Sequence, residues 1–184
     1  HGEKRVRAIL EVFWGIHEAL GNSRIADHLK IQLIPKFVPP LEAWFSATLA
    51  GSSPPTQRTI RNSLATPLLA QIEVDAGQTV WRLATDRTGV KGAAKSVRQL
   101  AKRMGVTRAR VYQLLEECGK VMAVRWPEGE RLFAVLAQRM QAQRARQDAT
   151  QMFETLTTLC YPKIAQTARP ASERDKAGAP AGGK

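Results

Sequence analysis

The sequence predicts a mainly α protein made of two similar helical units, each closed by a short β-hairpin, with an N-terminal helical segment before them. Three observations predict it. Residues 96–117, SVRQLAKRMGVTRARVYQLLEE, carry apolar side chains at helical spacing on both sides of Gly105. Residues 71–75 and 79–83 alternate around Ala76-Gly77-Gln78, the pattern of a hairpin. The order then repeats: Thr56, Ile60 and Leu64 fall 51 residues before Thr107, Val111 and Leu115, and Gly77 and Trp81 fall 52 before Gly129 and Phe133.

Taken in order, Val6, Ile9, Leu10, Phe13, Trp14, His17 and Leu20 mark a helix that Gly21-Asn22 ends. Ser23 can cap another, running to about Leu33, before Pro35, Pro39 and Pro40 break the chain. A short helix over 41–49 leads to the loop GSSPP, where Thr56 is an N-cap candidate for TQRTIRNSL. Pro67 is expected to close that helix early, before the hairpin. TDRTGVKGAAK reads as a linker. The next helix buries Val97, Leu100, Ala101 and Met104, and after the turn Gly105-Val106-Thr107 another buries Val111, Leu114, Leu115 and Cys118. Residues 121–147 admit two readings. VMAVRW and ERLFAVL are the strands of a hairpin, or Pro127 opens a helix favoured by Glu128 and Glu130 near its positive end. The hairpin over 121–135 is preferred, followed by a helix to about 147. A further helix ends at Pro162, and the Ala/Gly/Pro/Lys-rich stretch from 166 is expected to be disordered. This divides the chain into an N-terminal segment, 1–40; a first unit, 41–84; a linker, 85–95; a second unit, 96–147; a C-terminal helix, 148–165; and a tail, 166–184.

A helix, an N-capped second helix and a hairpin together make a winged helix. The run GVTRARVYQLLEE resembles the recognition segment of sigma-70 region 4 helix-turn-helix proteins, and tandem winged helices resemble plasmid replication initiators in architecture. The resemblance covers about 22 residues and implies DNA binding in a bacterial transcription regulator or a replication or partition protein.

Charge points the same way. The chain has 28 Lys+Arg against 16 Asp+Glu, net +12, which favours a polyanionic partner. Residues 85–147 hold 14 basic and 5 acidic side chains, net +9, whereas 1–84 are net +2 and 148–184 net +1. Base edges are read by donors and acceptors on a helix face, while basic groups around it neutralise phosphates. The base-reading candidates are Arg108, Tyr112 and Gln113 in the second unit and Gln57, Arg58, Arg61 and Asn62 in the first. The phosphate candidates are Lys95, Arg98, Lys102, Arg103, Thr107 and Arg110, with Arg125 and Arg131 on the wing.

Nothing suggests an enzyme. The histidines at 1, 17 and 28 lack metal-ligand spacing with Cys118 and Cys160, and no phosphate-binding glycine loop occurs, so no metal or cofactor is expected. Glu73 and Asp75 read as a solvated hairpin edge, Cys118 as a buried free thiol, His17 as a packed side chain, and the four tryptophans as core. No apolar run reaches membrane-spanning length. The expected partner is double-stranded DNA in the cytoplasm, at the nucleoid, with self-association or a protein partner through the N- or C-terminal helices. Two rivals stand beside this reading: a winged-helix protein-interaction module of a larger complex, and the DNA-targeting domain of an enzyme whose catalytic part is absent.

Overall fold

A computed structural model describes residues 2–21 and 35–167, and among them there is no β-strand. The elements are α1 (Gly2–Gly21), α2 (Val38–Ala50), α3 (Gln57–Thr59), a π-helical turn (Ile60–Ala65), α4 (Thr66–Thr88), α5 (Val97–Met104), α6 (Arg108–Arg125), α7 (Gly129–Ala142), α8 (Gln147–Cys160) and α9 (Pro162–Thr167). The mainly α expectation stands. Both hairpins, and with them the winged-helix form of the two units, are corrected. The helix expected over 23–33 lies outside the described residues, as does the tail from 168.

The hairpins fail for one reason: what is buried follows a period of 3.6, not 2. In α4 the buried apolar set is Leu68, Leu69, Ile72, Val80, Leu83 and Ala84. In α6 the buried apolar residues are Val111, Leu115, Cys118, Val121 and Met122, and in α7 Phe133, Leu136 and Met140. Gly77 does break the chain, with φ 83° and ψ 170°, but it joins two helical stretches rather than two strands. No side chain is comfortable at that φ, so glycine belongs there. Trp126, at φ −153° and ψ 67°, separates α6 from α7 in the same way. The second reading of 121–147, a helix opening after Pro127, is therefore the one observed.

Prolines mark beginnings more than ends. Pro39 and Pro40 lie in the first turn of α2, where a missing N–H costs no hydrogen bond. Pro67 does not close its helix. The π turn widens the backbone just ahead of it, the Thr66 N–H bonds to the Arg61 carbonyl, and the Thr66 hydroxyl donates to the same oxygen at 2.9 Å. The chain thus passes the proline without stopping.

One apolar core runs from Val38 to Tyr161. Its densest part is aromatic. Phe133 stacks on Phe153 with centroids 5.2 Å apart, and Phe45 lies 5.5 Å from Phe133 and 6.0 Å from Trp126. Tyr161 donates to the Trp126 carbonyl at 2.8 Å, and burial pushes its phenol well above the ordinary range. Each fully buried side chain of this size contributes about 1.5–3 kcal/mol. Trp126 is core as expected. Trp44 is half-buried on Phe45, and Trp81 is half-buried with the Lys91 ammonium 4.4 Å from its ring centroid. Trp14 and His17 are corrected: both are exposed, edge to face, on α1.

Candidate nucleic-acid interface

The turn between α5 and α6 is built locally. Ser96 caps α5, accepting from the Gln99 N–H, and the Gln99 side chain accepts from the Ser96 N–H in return. The S-x-x-Q spacing carries this signal and was missed. At the other end Gly105 takes φ 65°, the left-handed conformation that glycine adopts without strain. The Val106 N–H then reaches back to the Ala101 carbonyl at 3.1 Å, closing the helix. Thr107 caps α6 as expected, accepting from the Arg110 N–H at 3.2 Å.

Packing fixes which face of α6 is left over. Leu100 and Ala101 of α5 are buried with Val111, Leu115 and Cys118 of α6. Burial pushes the Cys118 thiol up to about 12, as suits an inert free cysteine. Arg108, Tyr112, Gln113 and Glu116 remain in water, and Tyr112 is 57% exposed, high for a side chain that large. The Arg110 guanidinium donates to the Gln113 amide oxygen at 3.3 Å. At about 1.5 Å per residue α6 is about 27 Å long. One face is buried along its whole length, and in the first half the opposite face carries Arg108, Tyr112 and Gln113.

The phosphate candidates divide. Arg98, Lys102, Arg103 and Arg110 are exposed, and Thr107 stands at the helix start. Lys95 and Arg103 both hold the Asp86 carboxylate, at 2.8 and 2.7 Å, a tie that the sequence reading missed. Arg131 is exposed on α7 rather than on a wing, beside Glu128 and Glu130 in an open groove. Arg125 is the clear correction. It is a buried side chain of α6, gripping Asp75 through Nε at 2.8 Å and Nη2 at 2.7 Å and also holding Glu11. Asp75 is correspondingly not a solvated edge. Burial pushes its carboxyl up, but the hydrogen bonds from Arg125 and Gln71 and the charges of Arg125 and Arg7 outweigh that, and the net direction is down.

In the first unit Thr56 caps α3, accepting from the Thr59 N–H at 3.2 Å. Arg58 and Asn62 are exposed. Gln57 and Arg61 are half-buried, and the Arg61 Nε has no hydrogen-bond partner. These four stand on α3 and the π turn, which pack against α8. The α6 candidates thus share one helix and its cap, whereas those of the first unit form a separate group.

Among the described residues no cluster of three His, Cys, Asp or Glu is arranged to hold a metal, and no helix is long and apolar enough to cross a membrane. No family model, curated protein or solved structure matches this chain.

Proposed function

We propose that this chain binds double-stranded DNA by laying the first half of α6 in the major groove. Arg108 and Gln113 read base edges there, Tyr112 packs beside them, and Arg98, Lys102 and Arg110 neutralise phosphates. The observation that carries this reading is the exposure of Arg108, Tyr112 and Gln113 on a helix whose opposite face is buried, beside cationic α5. Arg can bond guanine bidentately and Gln can bond adenine so, and recognition helices present their N-terminal residues to the groove. The loss of the wing concentrates the contact on α5 and α6. A role in bacterial transcription, replication or partition would use such a surface.

Phosphate contacts are tested by salt. Each of Arg98→Ala, Lys102→Ala and Arg110→Ala is expected to weaken binding to all duplexes alike and to lower the slope of log K against log salt by about 0.9. Arg125→Lys is expected to leave that slope unchanged, since Arg125 faces the core. Titration by fluorescence anisotropy at several salt concentrations reads both, and an affinity indifferent to salt overturns the proposal.

Specificity is tested by selection from a random duplex pool. Arg108→Ala and Gln113→Ala are each expected to relax preference at particular base pairs, at a cost of about 1–3 kcal/mol. The same selected site for parent and both variants would remove α6 from the groove.

A further inference from the structure

Helix α1 is turned the unusual way round. An amphipathic helix normally sets its apolar stripe on the core and its charges in water. Here the polar side is committed inward. Lys4 pairs with Glu117 of α6, Glu11 pairs with Arg125 of α6, and Arg7 donates to the Val74 carbonyl of α4. The apolar side looks out: Val6 is 55% exposed, Ile9 65%, Leu10 51%, Phe13 60% and Trp14 66%. Their spacing, i, i+3, i+4, i+7, i+8, makes one continuous face of the width that helix-on-helix packing uses.

We infer that this face pairs with the same face of a second copy of the chain. Area is the first reason. The five side chains leave roughly 500 Å² of apolar surface uncovered, near the upper end for the largest patch on a monomer. Two such faces together bury roughly 1,000 Å², where specific interfaces begin. Charge is the second. In a chain of net +12, residues 2–21 carry three basic and three acidic side chains and are neutral. A second α1 meets no repulsion there, and a nucleic acid or anionic lipid surface gains no attraction. The contact is independent of DNA binding, though through Glu117 and Arg125 it would fix two α6 helices relative to one another.

Sedimentation equilibrium of the full chain without DNA, from about 1 to about 100 μM, tests this. The parent is expected to approach twice the 20.3 kDa chain mass. Ile9→Glu with Phe13→Glu is expected to return it to one chain, with a dimer dissociation constant raised at least about a hundredfold. Both side chains are more than half exposed, so far-UV circular dichroism should hold. The milder Ile9→Ala is expected to shift the constant in the same direction if the double variant misfolds. Val135→Glu, an exposed site on α7, serves as the neutral control. A parent that sediments as a single chain throughout, or a dimer untouched by the α1 substitutions, overturns the inference.

Discussion

Replacing Asp75 with Ala is expected to destabilise the protein by about 3–5 kcal/mol, because it leaves a buried guanidinium without its main counter-ion. Arg125 has a side chain only 4% exposed, and Asp75 supplies two of its hydrogen bonds. Glu11 alone cannot replace that bidentate grip. The pair should also be legible in acid. The Asp75 carboxyl is held below its ordinary value when folded, so its contribution is complete above the unfolded pKa, near 3.8, and is lost as pH falls through the folded one. Urea titrations of parent and Asp75→Ala at pH 7 and in steps below pH 4 measure both effects. The gap between the two should be widest at neutral pH and narrow in acid. A gap that stays constant down to pH 2 would mean the ion pair is not what the substitution removes.

Gly129→Ala is expected to be the most damaging addition of a single methyl group. A Cβ built at Gly129 would sit 2.0 Å from the Tyr161 hydroxyl and 2.6 and 2.7 Å from carbons of the Trp126 ring. Tyr161 cannot simply withdraw, because it donates to the Trp126 carbonyl, and the indole is enclosed by Phe37, Phe45 and Phe133. Overpacking of this kind costs about 1–3 kcal/mol, and this site belongs at the top of that range. Thermal denaturation followed by near-UV circular dichroism reads the loss and any loosening of the aromatic cluster. A variant melting like the parent would show that α7 can slide to make room.

What the sequence made legible was local. The cap at Thr107, the turn at Gly105 and the buried set Val111, Leu115 and Cys118 depend on residues within a few positions of one another. The breaks at Gly77 and just after Trp126, at Pro127, were equally visible, but not what they separated. Short apolar runs such as TVWRL and ERLFAV fit alternation and helical spacing alike, and only packing across the molecule decides between them. Asp75 and Arg125 lie 50 residues apart, with nothing near either to announce the other. A lone arginine in a basic stretch therefore read as a phosphate contact. For α1 the stripe was correct and its direction reversed, since which side faces inward depends on Glu117 and Arg125, over a hundred positions away.

The division of α6 between its two faces has an evolutionary consequence. Substitutions at Arg108, Tyr112 or Gln113 touch almost nothing inside the protein, so they fall in the class that changes stability by less than about half a kcal/mol. Those at Val111, Leu115 or Cys118 disturb a filled interior, which a marginally stable chain tolerates less. One rigid rod thus holds a freely varying face and an anchored face. Descendants of such a chain could change the exposed face without first accumulating compensating changes, and would diverge there long before their interiors differ.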